Sequence, residues 1–289
     1  MKIIKTIDGV KKEIKKHQGH SIGFVPTMGY LHQGHLSLIE QSKKENDVTV
    51  VSIFVNPTQF GPNEDFNRYP RDLQRDEALL KELDVDLLFF PNSTEMYPSD
   101  YSTYVEVEAM GKVLCGSSRP THFKGVATVV LKLFNIVNAT IAYFGQKDAQ
   151  QAILLKRMTT DLNLDTTIKV MPIVRDTNGL ALSSRNEYLS IEEREAALHL
   201  PRALEKAKRQ IEAGLKDASE IKTLIEKELK KSLLLTIDYV EVVTLDKLEN
   251  FPKNQEGQTV EINMNNTLVA AAVRVGKTRL IDNFILGEI

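Results

Sequence analysis

The chain has a single cysteine, Cys115, in 289 residues. One thiol excludes an internal disulfide and a cysteine-rich zinc site. An excess of charge of either sign is also missing: 37 Lys and Arg stand against 39 Asp and Glu, a formal net charge of −2. There is therefore no global pull toward nucleic acid or an anionic membrane, and any anion site has to be local. No apolar run approaches the roughly 20 residues that span a bilayer. The first residues, Met1-Lys2-Ile3-Ile4-Lys5-Thr6-Ile7-Asp8, lack the long apolar segment of a signal peptide. The expectation is a cytoplasmic protein with no membrane and no nucleic-acid partner. No G-x-G-x-x-G follows a strand-like run, which argues against the usual dinucleotide fingerprint. At 42% hydrophobic and 26% charged residues the composition is that of an ordinary globular chain, and its length suggests roughly two domains.

Apolar, β-rich runs alternate with helical patterns through the first part. Strands are expected at Ser21–Val25, Val48–Val55, Asp86–Phe90, Ile141–Phe144 and Thr167–Met171, and helices at Gly34–Asn46, Asp72–Leu83, His122–Val137 and Lys147–Leu162. Alternating β and α predicts an α/β fold, a Rossmann-like parallel sheet flanked by helices. Thr103–Val107 reads as a further strand off the main sheet. After about Arg175 the pattern changes. Ser190-Ile191-Glu192-Glu193 is a capping-box helix start. Helices are expected through Ala213 and over Ala218–Lys231, and β-rich pieces at Ile237–Thr244, Thr259–Met264 and Thr267–Val275. Asn265-Asn266 and Gly276-Lys277 read as hairpin turns. This part is expected to be a smaller C-terminal α+β domain with an antiparallel sheet. The boundary is placed near Val174–Asn178, giving domains 1–175 and 176–289.

The most informative stretch is Pro26-Thr27-Met28-Gly29-Tyr30-Leu31-His32-Gln33-Gly34-His35. It follows the apolar Ile22–Val25 and precedes the amphipathic Leu36–Gln41, so it reads as strand, small-residue turn and helix start. A helix N-terminus offers unpaired N–H groups and the positive end of the dipole, which suit phosphate. Imidazole donors at the same place suit a polyphosphate gaining charge in a transition state. The rival is a zinc pair at i, i+3, but no nearby Cys, Asp or Glu completes a ligand set. Phe144-Gly145-Gln146-Lys147-Asp148 repeats the strand–glycine–helix pattern. Lys147 there opposes the helix dipole unless a phosphate reverses the penalty; a routine solvated turn is the bland alternative. Leu182-Ser183-Ser184-Arg185-Asn186 offers two hydroxyls and a guanidinium as a phosphate clamp, against a plain polar linker. Asn56-Pro57-Thr58-Gln59-Phe60-Gly61 and Gln150-Gln151 supply neutral amides beyond strand ends, where α/β sheets bind ligands. Val275-Gly276-Lys277-Thr278 mimics a Walker loop, but Ala271 stands where the first glycine belongs, and the context is strand–turn–strand. Cys115 has no evident base partner and reads as incidental.

These strings resemble a known family. His32-Gln33-Gly34-His35 is similar to the H-I-G-H element of nucleotidyltransferases and class I aminoacyl-tRNA synthetases, and Ser183–Asn186 to their second loop. Pro26–His35, Val55-Asn56-Pro57-Thr58-Gln59-Phe60-Gly61, Tyr69-Pro70-Arg71, Arg119-Pro120-Thr121-His122-Phe123-Lys124-Gly125-Val126, Phe144–Asp148 and Ser183–Asn186 together resemble the pantoate–β-alanine ligases (pantothenate synthetases), in family order.

The resemblance implies an ATP- and magnesium-dependent ligase that condenses pantoate with β-alanine through pantoyl adenylate, releasing AMP and pyrophosphate. It implies that residues 1–175 bind nucleotide and pantoate and that 176–289 form a lid domain. Met28, Gly29, Tyr30, Leu31, His32, Gln33, Gly34 and His35 would line the ATP site, with His32 and His35 stabilising phosphate charge. Gly145, Gln146, Lys147 and Asp148 would hold phosphate and adenosine, and Val174 and Leu182 would lie along the nucleotide. Ser183, Ser184 and Arg185 would clamp the leaving pyrophosphate. Gln59 and Gln151 would hold pantoate. Magnesium would ride mainly on ATP oxygens, with Asp76 as a supporting ligand, and the protein would be a homodimer. Two rivals remain on the residues alone: another H-x-G-H nucleotidyltransferase with a different acceptor, and a nucleotide-binding regulatory module without turnover.

Overall fold

A computed structural model describes residues 1–62, 64–252 and 261–289. Contacts divide the chain into two compact units. The first holds Met1–Lys112, Arg119–Gly145 and Leu154–Pro172; the second holds Val113–Ser118, Gln146–Ile153 and Ile173–Ile289.

The first unit is built on β1 (Lys2–Ile4), α1 (Ile7–Ile14), β2 (Ile22–Thr27), α2 (Gln33–Glu45), β3 (Val48–Ile53), α3 (Leu73–Glu82), β4 (Leu87–Phe89) and α4 (Ser93–Met96). The short α5 (Cys115–Ser118) belongs to the second unit. α6 (His122–Val137), β5 (Ile141–Gly145), α7 (Ala149–Asp161) and β6 (Thr167–Met171) follow. Six parallel strands pair in the order β1-β4-β3-β2-β5-β6. The order reverses between β2 and β5, which pair through Gly23↔Ile141 and Phe24↔Ala142. In open α/β sheets such a switch point is where ligands sit, beyond the strands' carboxyl ends. The Met28–His35 turn follows β2 in the chain, and the Gln146–Asp148 turn follows β5.

The parallel strands are apolar on both faces because helices cover both. β3 is buried throughout, and Val25, Leu31, Ile39, Val51, Leu80, Leu88 and Tyr143 form one cluster, each essentially inaccessible. Burying each such side chain contributes about 1.5–3 kcal/mol. The expected apolar face of α6 is all buried: Val126, Val129, Val130, Leu133, Phe134 and Val137. α6 ends at Asn138 in the left-handed conformation, φ 51°.

The second unit contains α8 (Ile191–Ala197), α9 (His199–Glu212), α10 (Ala218–Leu229), β7 (Leu235–Thr244), β8 (Asn266–Val275) and β9 (Thr278–Gly287). α8 starts with the expected capping box of Ser190 and Glu193. The strands form an antiparallel sheet, β7-β8-β9. Val240, Val242, Val269, Ala271 and Val273 of the sheet pack with Leu200, Leu204, Ile221 and Ile225 of the helices.

The structure departs from the sequence expectations in three places. The edge strand β1 and helix α1 were not foreseen. Tyr101–Val107 is not a strand; the Val105 N–H donates to Thr128 Oγ1 at 2.9 Å rather than to a sheet partner. The strand expected at Thr259–Met264 begins outside the described residues, and its described part, 261–264, is irregular. The hairpin expected at Gly276-Lys277 is present and joins β8 to β9, so the Walker-like string is a strand–turn–strand as its context predicts.

Candidate active site

In the first unit the histidine turn is shaped by its own backbone. Thr27 Oγ1 donates to the Ser52 carbonyl at 2.8 Å and accepts the Gly29 N–H at 3.2 Å. Gly29 has φ 83°, a left-handed geometry that glycine adopts at little cost. A Cβ there would sit 2.9 Å from Ile53 Cγ2. The carboxylate of Asp76, in the first turn of α3, accepts the Tyr30 and Leu31 N–H groups at 2.7 and 2.8 Å. Burial pushes the Asp76 carboxyl above its ordinary range, against the pull of those two N–H groups and of Arg75.

His32 and His35 cap α2. His32 is the N-cap, its Nδ1 accepting the Gly34 N–H at 3.2 Å, and His35 Nδ1 accepts the His32 N–H at 3.3 Å. The two imidazoles thus build a capping box, a role usually taken by Ser or Thr with Glu or Gln. Their rings lie 4.0 Å apart, tilted by 32°. With each Nδ1 used as an acceptor, a neutral ring carries its proton on Nε2. In that tautomer each Nε2 is an N–H donor, placed at the end of a helix dipole.

Gln59 is 9% exposed. Its side chain accepts from Asn56 Nδ2 at 3.1 Å and lies 3.2 Å from Met28 Sδ, so Met28 and Gln59 are brought together as a pair. Its carbonyl accepts from His122 Nδ1 at 2.9 Å and Arg119 Nη2 at 3.3 Å. Arg119 is in turn paired with Glu64; burial pushes the Glu64 carboxyl up, but Arg119, helped by His122 and the Gly61 backbone, holds the group below its ordinary value. Gly125 lets α6 approach this loop: a Cβ there would lie 2.4 Å from the Thr58 carbonyl oxygen and 2.7 Å from Gln59 Cα. Asn56, Arg119, His122 and Gly125 therefore fix the Gln59 loop.

In the second unit, Gln146–Asp148 forms a 3-10 turn immediately before α7. Lys147 Nζ lies 3.4 Å from both Asp148 oxygens. The turn is gripped by Asn283 of β9, whose Nδ2 donates to the Gln146 and Lys147 carbonyls at 3.0 Å each. Its neighbour Asp282 makes a two-pronged pair with Arg175, at 2.6 and 2.9 Å, and the interaction with Asp282 raises the Arg175 pKa. Arg175 opens a tight loop closed by the bridge to Ala181, and the Leu182 N–H returns to the Val174 carbonyl at 3.0 Å. Ser183 then caps a 3-10 turn, Ser184–Tyr188, by accepting the Arg185 N–H at 3.3 Å. Val174, Leu182 and Ser183–Arg185 are thus one folded loop system, and β9 anchors both it and the Lys147 turn. Asp282 and Asn283 were missed from the sequence; the signal available was two adjacent polar residues between the apolar Leu280-Ile281 and Phe284-Ile285-Leu286.

Of the adjacent glutamines, Gln150 is committed to structure: it accepts from the Cys115 N–H at 3.0 Å and donates to the Val113 carbonyl at 2.7 Å. Gln151 is the half-buried one. Among the described residues no three His, Cys, Asp or Glu side chains converge as a metal-holding group.

Comparison with known proteins agrees with this layout over the whole chain. A sequence model of the family described as pantoate-beta-alanine ligase matches residues 2–285. A pantothenate synthetase of Fervidobacterium nodosum is 54% identical over 288 residues, covering 99% of each chain. The crystal structure of pantothenate synthetase from Thermus thermophilus superposes with a TM-score of 0.91 at 42% identity, covering 100% of both chains. That of pantoate-beta-alanine ligase from Francisella tularensis, complexed with beta-gamma ATP and beta-alanine, gives 0.78 at 36% identity, covering 99% of this chain and 97% of its own. At that identity and coverage, the chain belongs to the pantoate–β-alanine ligases.

Proposed function

We propose that this chain joins (R)-pantoate to β-alanine at the expense of ATP, in pantothenate and coenzyme A biosynthesis. The observation that carries the reading is the pair of cap histidines at the start of α2, in a chain that matches the ligase family from end to end. A pantoate carboxylate oxygen attacks the α-phosphorus, the bond to the β-phosphate oxygen breaks, and pyrophosphate leaves. The β-alanine amine then attacks the acyl carbon of pantoyl adenylate, and AMP leaves. His32 and His35 donate Nε2–H bonds to phosphate oxygens as charge builds on them. Lys147 supplies a point charge, Ser183, Ser184 and Arg185 hold the outgoing pyrophosphate, and Gln59 and Gln151 hold pantoate. Residues 176–289 act as a lid domain over a water-sensitive adenylate.

Magnesium belongs to the proposal as a companion of the nucleotide, on phosphate oxygens, the usual way this ion is carried. Asp76 already commits one lone pair of each carboxylate oxygen to a backbone N–H, so its first role in this reading is to hold the turn rather than the ion. A homodimer and a cytoplasmic setting complete the proposal, and sedimentation velocity tests the first. Among the described residues no helix is long and apolar enough to cross a membrane. Pyrophosphate release that requires pantoate tests the acceptor; a response to another acid and none to pantoate would favour a different nucleotidyltransferase.

Two substitutions probe the scaffold. Gly125→Ala drives a methyl group into the Thr58–Gln59 backbone and is expected to raise the KM for pantoate about tenfold, while overpacking costs about 1–3 kcal/mol of stability. A pantoate titration with unchanged KM would show that Gln59 is not held this way. Asn283→Ala releases the Gln146 and Lys147 carbonyls, leaving two acceptors to find water at about 1–3 kcal/mol. Adenylate formation is expected to slow roughly tenfold; an unaltered single-turnover rate would remove Asn283 from the account.

A further inference from the structure

The turn that delivers His32 stores strain. Gly29 and Tyr30 are consecutive left-handed residues, at φ 83° and 52°, and Tyr30 carries a side chain that disfavours this region. Successive N–H groups in turns of this kind form a concavity that takes an anion. Here the anion is the protein's own: the Tyr30 N–H reaches Asp76 Oδ2 at 2.7 Å and the Leu31 N–H reaches Oδ1 at 2.8 Å. Asp76 is 1% exposed. Arg75 closes the outer side, with its guanidinium 5.0 Å from the centre of the Tyr30 ring and Nη1 3.7 Å from Asp76 Oδ1. The residue after Leu31 is the N-cap His32, whose N–H is accepted by His35 Nδ1. A continuous run of contacts therefore leads from α3 through the strained turn to both imidazoles.

We infer that Asp76 is a positioning residue for adenylate formation: its carboxylate fills the Tyr30–Leu31 backbone concavity and so sets the angle at which His32 and His35 present Nε2 to the reacting phosphates. The inference rests on the ligase reading of the site. It also gives Asp76 a task other than magnesium binding, because each carboxylate oxygen is already committed to a backbone N–H.

Asp76→Asn keeps the shape but places an amide NH2 against one of the two backbone donors. Measured by pantoate-dependent pyrophosphate release, kcat is expected to fall about a hundredfold, the loss that follows a displacement near 1 Å of a group acting on the transition state. The KM for ATP and the magnesium concentration for half-maximal rate are expected to stay at their wild-type values, because the altered groups act on the transition state rather than on ground-state binding. A wild-type kcat would overturn the inference, and so would a raised magnesium requirement with turnover restored at high magnesium, which would make Asp76 a metal ligand. A second measurement needs no variant: in the wild-type protein the Tyr30 amide proton should exchange as slowly as those of β2, and rapid exchange would overturn the inference even if Asp76→Asn failed to fold. Wild-type protein that released no pyrophosphate with pantoate would refute the ligase reading instead, and the amide measurement would still decide whether Asp76 holds the turn.

Discussion

His35→Ala lowers pantoate-dependent pyrophosphate release by about a hundredfold or more, the loss expected when one preorganised donor to developing charge is removed. Two effects combine in this variant. The Nε2 donor disappears, and so does the Nδ1 acceptor of the His32 N–H, which opens half of the capping box. Losing a cap costs about 0.5–2 kcal/mol of stability, so a thermal shift accompanies the kinetic loss. His35→Asn separates them: a short amide oxygen at this position recovers part of the stability while the rate stays low. Single-turnover adenylation at the wild-type rate in His35→Ala would refute the catalytic role, whatever the change in stability.

Lys147→Ala is expected to have a comparable effect, again about a hundredfold on adenylate formation. A cation just ahead of a helix start is electrostatically misplaced in the free protein, and its 3.4 Å contacts with the adjacent Asp148 are long for an ion pair. A bound polyphosphate removes that mismatch, so the lysine contributes most when nucleotide is present. The grip of Asn283 on the Gln146 and Lys147 carbonyls fixes where the side chain starts. Lys147→Arg keeps the charge but changes its shape and reach, and partial recovery is expected in the same pyrophosphate assay. Full activity in Lys147→Ala would show that the turn serves structure alone.

Local signals revealed the main sheet because its strands are long apolar runs that end in small residues, as Ile22–Thr27 and Ile141–Gly145 do. The same logic failed where local pattern was weak or misleading. Lys2–Ile4 is three residues long and largely exposed, so it carries no buried run; its strand character comes from pairing with Leu87–Phe89. Thr103–Val107 alternates as a strand should, yet Thr128 supplies a side-chain partner for the Val105 N–H instead of a neighbouring strand. The candidate residues were legible as types, since His, Lys and Ser-Ser-Arg beside strand ends suit phosphate. Their support was not. Asp76 meets backbone groups 45 and 46 positions away, and Asn283 meets carbonyls 136 and 137 positions away. No spacing rule connects such pairs, so a buried carboxylate near a nucleotide motif reads as a metal ligand until its partners are seen.

On the proposed function, the cap-histidine turn activates pantoate as an adenylate for attack by β-alanine. Mass spectrometry of the purified chain with ATP, magnesium, pantoate and β-alanine tests it most directly. Pantothenate, AMP and pyrophosphate are expected to accumulate in equal amounts, with pantoyl adenylate detectable when β-alanine is left out. Binding of ATP with no AMP formed in the presence of both substrates, or formation of ADP in its place, would contradict it.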